Sequence, residues 1–397
     1  MTGLSANLKK RSKGEIMKQR FPRSMTMVLA LGGMMAPFAI AAAQADTVVK
    51  IGFSSPLSGP QAHYGKDNEN ATKMAIDDLN ARPLTIAGQK VTFELVSEDD
   101  QADPRVGTQV AQRLVDSGVK AVIGHFNSGV SIPASRIYSD AGIPQLSVST
   151  NPAFTTAGYK TTFRLVGSDS QVGGALGRYA VAQLKAQRIA VIDDRTAYGQ
   201  GIADEFIKSI QGLGKQPVKR EYTNDKASDF TAILTSLKAV HPDVIFYGGA
   251  DAQAAPMAKQ MKRLGLNAKL MGGDMLSTPT FIKLAGTDAV GHFSAVPGGE
   301  LGARPAGKDF EARYKARYKQ DVVLLGPQFY DGVMIVADAM KRANSTEPAK
   351  FLPLIAKTAY KGVTADFGFD SAGNLKHAPV TISAVEGSNW KVKTVVQ

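Results

Sequence analysis

The chain has 397 residues, 44% hydrophobic and 21% charged, a globular composition with room for two domains. It contains no cysteine, which excludes disulfides, thiolate metal sites and cysteine nucleophiles. Its formal charge is +12, yet no Lys/Arg cluster interleaves with aromatic residues, so the sequence offers no case for nucleic acid.

Much of that charge sits at the start. Met1–Arg23 holds seven Lys/Arg against one acidic residue, Glu15, and the apolar run Met25–Ala43 follows, closed by Ala43-Gln44-Ala45. Basic, then apolar, then A-x-A reads as a signal peptide over residues 1–45, cleaved after Ala45. Gly32-Gly33 and Pro37 interrupt the run and argue against a permanent membrane helix. Met17 offers an alternative start. Removing these seven cations and one anion lowers the formal charge from +12 to +6. With no cysteine to carry a lipid, the exported remainder is expected to be soluble.

The remainder alternates strands and helices. Val48–Phe53 predicts a strand; Ala71, Met74, Ala75 and Leu79 give a helix stripe; Val91–Val96 predicts the next strand. Asp103-Pro104 has the form of a helix cap with proline at the first helical position, and Gly118 ends that helix. Strand Lys120–Ile123 then turns through Gly-His-Phe-Asn-Ser into a helix with Val130, Ala134, Ile137 and Tyr138 on one face. Such a turn aims backbone N–H groups and the positive end of a helix dipole at one spot. No Lys or Arg lies between Lys120 and Arg136, which suits a small carboxylate better than a polyphosphate. A strand at Pro144–Val148 and a loop at Ser149–Gly158 follow.

The alternation restarts near Ser168. Helices are expected over Val172–Leu184, along Ile202, Phe206 and Ile210, after a Ser228 cap, and along Met257, Met261 and Leu264. Strands are expected at Arg188–Ile192, Val218–Tyr222, Val244–Tyr247 and Lys269–Met271. Two such series fit two α/β lobes with parallel sheets between helices. Helices at Lys308–Lys319, Phe329–Ala343 and Lys350–Lys357 and a β-rich tail, Phe367–Val396, complete the chain.

The catalytic inventory is close to empty. The five histidines show no metal-ligand spacing, and H-E-x-x-H, G-x-S-x-G and P-loop motifs are absent. Glu98-Asp99-Asp100 could serve acid catalysis or a metal, but such runs are more often solvated strand ends. Polar loops after strands are plentiful, and small ligands bind there in open α/β sheets.

Ser55-Pro-Leu-Ser-Gly-Pro with Tyr64-Gly65, Ser97–Pro104, Val122-Ile-Gly-His-Phe-Asn-Ser and Ser149-Thr-Asn-Pro form an ordered set of motifs. Phe163-Arg-Leu, Asp194–Gly201, Tyr247-Gly-Gly and Met271-Gly-Gly-Asp extend it. In this order and spacing the chain resembles the branched-chain amino acid (Leu/Ile/Val) binding proteins, periplasmic receptors of ABC importers. The resemblance spans residues 46–397 and is more specific for fold than for ligand, since receptors and sensors for amides, urea and aromatic acids share much of the pattern.

The resemblance implies a type I periplasmic binding protein: two lobes, each a mostly parallel sheet flanked by helices, with a hinge between them. Lobe 1 is expected at 46–167 with 298–375 returning to it, lobe 2 at 168–297 with 376–397. It implies no catalysis, cofactor or metal, a periplasmic monomer, a small amino acid ligand and membrane permease subunits as partners. Ser128 looks like the residue whose hydroxyl and N–H take the ligand α-carboxylate. Ser149 and Thr150 look like the loop whose carbonyl and hydroxyl hold ammonium and carboxylate, in a match one residue shorter than in some relatives. Tyr64 would line the cleft and Phe126 would meet the ligand side chain. From the second lobe, Tyr198 resembles the ring that closes over the ligand and Asp274 the carboxylate that pairs with the ammonium. Two departures follow: Ala250 stands where an aromatic is usual, widening that wall, and Asp274 replaces a common Glu, about one methylene shorter. An amide, urea or carboxylate receptor or sensor is the alternative, and an exported hydrolase using Glu98–Asp100 or Ser131 a more distant one.

Overall fold

The first sheet is assembled around a central apolar strand, β1 (Thr47–Ser55), in the computed structural model, which describes residues 47–397. The expected signal peptide lies outside the described residues. After β1 come α1 (Ala62–Ala81), β2 (Leu84–Ile86), β3 (Gln89–Asp99), α2 (Pro104–Asp116), β4 (Ala121–Gly124), α3 (Ser128–Asp140), β5 (Gln145–Ser147), α4 (Ala153–Thr156) and β6 (Thr162–Arg164). The sheet order is β2-β3-β1-β4-β5-β6. All neighbours are parallel except β2, which pairs antiparallel with β3.

The second series is α5 (Asp169–Ala182), β7 (Ile189–Asp193), α6 (Ala197–Gly212), β8 (Pro217–Tyr222), α7 (Thr231–Lys238), β9 (Val244–Gly248), α8 (Asp251–Arg263), β10 (Lys269–Gly272), α9 (Pro279–Ala285) and β11 (Phe293–Pro297). There follow α10 (Pro305–Tyr318), α11 (Gly326–Ala343), α12 (Pro348–Ile355), a small ribbon of β12 (Tyr360–Lys361) and β13 (Asp366–Phe367), then β14 (Val380–Glu386) and β15 (Asn389–Val396). The second sheet runs β15-β14-β11-β10-β9-β7-β8. Its five strands from the alternating series are parallel, and the β14–β15 hairpin joins β11 antiparallel.

Strand parity explains why helices cover both faces. In β4, Ile123 packs in the cluster with α1 and α11 side chains, whereas Val122 joins Val110, Leu114, Ala134 and Tyr138 of α2 and α3. In β9, Phe246 packs with Ile202 and Phe206 of α6, whereas Ile245 and Tyr247 face Leu234, Met257 and Met261. Helix α11 therefore belongs with the first sheet, and the chain passes between lobes after β6, after β11 and before β14.

Two local expectations are corrected. The segment Ser149–Gly158 carries the short helix α4. Ser228 does not cap α7, which starts at Thr231: the Ser228 carbonyl accepts from Gln260 Nε2 at 2.8 Å, and Gln260 Oε1 accepts from Phe230 N at 2.6 Å. A partner some thirty residues away holds that helix entry. The Asp103 cap is as expected, its carboxylate accepting from Arg105 N and Val106 N.

Candidate functional site

The turn from β4 into α3 puts Asn127 at the cap position and Ser128 at the first helical residue, both just beyond the C-terminal end of β4. The Asn127 amide donates to Gln61 Oε1 at 2.7 Å, which fixes the turn against the loop before α1. The Ser128 hydroxyl accepts from Asn151 N at 3.4 Å, tying this turn to the loop after β5. That loop is organised by Arg164, a guanidinium buried so fully that its pKa falls to about 10. Arg164 donates to the Ser149 and Asn151 carbonyls and to the Thr155 hydroxyl.

From the second sheet, Tyr198 stands in the first turn of α6 and Asp274 opens a short 3-10 turn after β10. The Tyr198 hydroxyl donates to Asp274 Oδ1 at 2.8 Å. A Cβ at Gly273 would collide with that hydroxyl and with Ile202, so only glycine allows the approach. Burial pushes the Asp274 carboxyl up to about 6, against the downward pull of the Tyr198 hydrogen bond and backbone N–H groups.

These elements converge on a narrow cavity of about 10 Å³ lined by Phe126, Asn127, Ser128, Val148, Thr150, Tyr198, Asp274 and Met275. Five residues singled out from the sequence thus come together: Phe126, Ser128 and Thr150 on one lobe, Tyr198 and Asp274 on the other. Three lie outside the lining. Tyr64 stands behind Phe126, its ring stacked at 5.2 Å. The Ser149 carbonyl is taken by Arg164, which leaves Val148 and Thr150 facing the cavity. Ala250 is the buried residue before α8. Apolar walls come from Phe126, Val148 and Met275.

The carboxylates Glu98–Asp100 hold local structure. Glu98 pairs with Arg113, Asp99 accepts from Leu57 N and Gln101 N, and Asp100 accepts from Ser54 Oγ and lies 2.8 Å from His125 Nδ1. Ser131 is fully buried and donates to the His125 carbonyl, while the other ring nitrogen of His125 meets the Tyr138 hydroxyl. Neither group faces the cavity. Among the described residues, no cluster of three His, Cys, Asp or Glu is placed to hold a metal.

A family model described as periplasmic binding protein matches residues 48–389. The chain belongs to the periplasmic binding protein family.

Within this family the chain is 34% identical over 356 residues to a Leu/Ile/Val-binding protein homolog of Brucella suis, covering 89% of this chain and 92% of that one. The structure of a leucine-binding protein from Thermotoga maritima superposes with a TM-score of 0.81 at 26% identity, covering 88% and 98%. A branched-chain amino acid transporter substrate-binding protein from Streptococcus pneumoniae, solved with isoleucine, gives 0.78 at 26%, covering 88% and 99%. The resemblance drawn from the motifs and the type I two-lobe fold both hold. Among the described residues, no helix is long and apolar enough to cross a membrane.

In this periplasmic binding protein the lobes also meet through residues whose pairing the sequence concealed. Tyr64 Oη donates to the Met275 carbonyl at 2.6 Å, and Asn151 Nδ2 donates to the Ala197 carbonyl at 2.6 Å. His63 Nε2 lies 2.8 Å from Asp251 Oδ2, which also accepts from Thr278 Oγ1 at 2.6 Å. Asp169, at the passage between lobes, is fully buried, and burial with the nearby Asp274 charge raises it to about 8. Nothing in the sequence pattern marked His63, Asp169 or Asp251.

Proposed function

We propose that this protein is the periplasmic solute-binding component of an ABC importer, that it captures a small amino acid of branched-chain type between its lobes, and that it presents the closed form to a membrane permease. The observation that carries this reading is the polarity of the cavity. One lobe offers Ser128 at the positive start of α3 and Thr150 in the loop after β5, suited to a carboxylate. The other offers Asp274, suited to an ammonium, and Phe126, Val148 and Met275 supply apolar surface between the poles. A zwitterion with a hydrocarbon side chain meets all three.

Each site residue has a role in this reading. Ser128 takes the α-carboxylate through its hydroxyl and N–H, and Thr150 adds a second hydroxyl. Asp274 pairs with the ammonium, and Tyr198 holds that carboxylate in place. Phe126 contacts the side chain. Tyr64 acts from behind, as a latch on Met275, while Ser149 and Ala250 shape their neighbours' loops. The lobes, 46–167 with 298–375 and 168–297 with 376–397, swing about the three passages, which gives hinge closure. The isoleucine bound by the Streptococcus pneumoniae relative supports the ligand class.

A thermal-shift screen over amino acids, amides, urea and small carboxylates tests the reading. A ligand at about 100 times its Kd adds roughly 2.7 kcal/mol of stability, a shift such screens resolve. Leucine, isoleucine or valine is expected among the strongest hits; a response to amides or urea alone overturns the assignment. Native mass spectrometry of gently purified protein should carry the same amino acid, unchanged.

A further inference from the structure

Away from the cleft, the three passages between lobes surround a second cavity of about 660 Å³. Leu165–Gly167 from the first passage, Pro297–Gly299 from the second and Leu375–Pro379 from the third all line it. The passages meet at van der Waals range: a Cβ at Gly167 would lie 3.3 Å from Ala378 Cβ and 3.5 Å from Pro297 Cβ. The second and third are also hydrogen-bonded, Gly298 N to the Pro379 carbonyl and Thr381 Oγ1 to the Gly298 carbonyl, each at 2.7 Å. This cavity shares no lining residue with the cleft.

Its lining has the make-up of a small-molecule site and its volume lies in the usual range. Leu165, Val166 and Pro297 give a buried apolar floor. Gln328 also lines the cavity; it is 8% exposed, and its Oε1 is buried without a partner. Arg304 is neutralised by Asp366 at 2.5 Å. Lys376 and His377 are exposed and unpaired among the described residues, with exposed Glu300 the unpaired acid of the lining.

We propose that this hinge cavity is a second binding site, that it takes a small organic acid with its carboxylate at Lys376 and His377 and its hydrocarbon on the apolar floor, and that its occupation favours the closed arrangement of the lobes. The direction follows from the shape. The cavity is formed with the lobes in contact through Tyr64–Met275 and Asn151–Ala197. A ligand fitting all three passages in this arrangement binds it better than any arrangement that moves them, and so shifts the population towards closure. Linkage then requires that it tighten the cleft for its own ligand by the same factor that the cleft ligand tightens the hinge.

Hexanoate is the probe, with hexanamide as the uncharged control, followed by NMR of the labelled full protein with and without the best amino acid from the screen. Saturable shifts at Val166, His377 and Ala378 are expected at millimolar hexanoate and weaker ones with hexanamide. Lys376→Gln should weaken hexanoate several-fold and leave amino acid affinity intact. Calorimetry at saturating hexanoate should show the amino acid binding about five-fold tighter or more. Shifts confined to Thr150, Tyr198 and Asp274, equal binding of the amide, or unchanged amino acid affinity would each overturn the proposal. Shifts at Thr150, Tyr198 and Asp274 on adding an amino acid alone test the cleft independently of hexanoate.

Discussion

The Tyr64 hydroxyl of the first lobe donates to the Met275 carbonyl of the second at 2.6 Å, with both residues buried. Met275 follows Asp274 directly, so one hydrogen bond joins the outer wall of the cleft to its acidic pole. The bond exists only with the lobes together. Tyr64→Phe should therefore leave folding of each lobe intact and raise the dissociation rate of the cleft ligand. A lost bond to a buried carbonyl costs about 1–3 kcal/mol, which corresponds to roughly ten-fold in affinity. Stopped-flow release of the bound amino acid checks this; an unchanged rate would remove Tyr64 from closure.

Ser128→Ala removes a hydroxyl from the first turn of α3 while taking away little packing. Loss of a charge-assisted hydrogen bond should weaken amino acid binding by about 1.5–3 kcal/mol, with a small drop in the unliganded melting temperature because the hydroxyl also accepts from Asn151 N. Calorimetry with wild-type affinity would place the carboxylate elsewhere.

Asp169 sets a pH dependence of stability. Its carboxyl rises from an ordinary 3.8 to about 8, chiefly through burial, with Asp274 and Glu205 adding repulsion and Thr150 and Arg164 opposing. A carboxyl with a raised pKa holds its proton in the folded state after the unfolded chain has lost it. Stability therefore falls as pH rises from about 4 towards about 8. Asp169→Asn keeps the shape and abolishes the ionisation. Thermal unfolding from about pH 5 to about pH 9 should show the variant gaining on the wild type with rising pH. Parallel curves would mean that Asp169 titrates normally.

The order of basic, apolar and A-x-A residues at 1–45 leads to a mature start at Asp46. N-terminal sequencing of protein recovered from the periplasm should read Asp46-Thr47-Val48; a start at Met1 or Met17 would refute processing and export together.

The fold was legible wherever burial wrote a period into the chain. Apolar runs such as Val244–Tyr247 and four-spaced stripes such as Val106, Val110 and Leu114 mark parallel strands and their covering helices. The three-residue strands Leu84–Ile86 and Thr162–Arg164 are too short to show a period, and Phe293–Pro297 is recognisable only beside β10 and β14. In the site, the Ser128 turn was legible because a strand end running into a helix start is local, whereas Thr150 was reached only through the resemblance. The pairs Tyr64–Met275 and His63–Asp251 are 211 and 188 residues apart, and only the meeting of two lobes creates them. Ser149 shows the limit of motif transfer, since its carbonyl accepts from Arg164 and the residue does not line the cavity.

Whether Asp274 meets the ammonium of a zwitterion is decided by calorimetry with the best amino acid and its 2-oxo acid. A carboxylate closed away from water is costly unless a cation joins it. Asp274, raised to about 6 by burial, pairs with an ammonium only when ionised, so affinity should fall as pH drops below about 6. Asp274→Asn should lower affinity by about one to three orders of magnitude and lose that pH dependence. For the wild type the expected result is tight binding of the amino acid and weak binding of the 2-oxo acid. Equal affinity for the two would contradict the account, because Asp274 would then have no cation to meet.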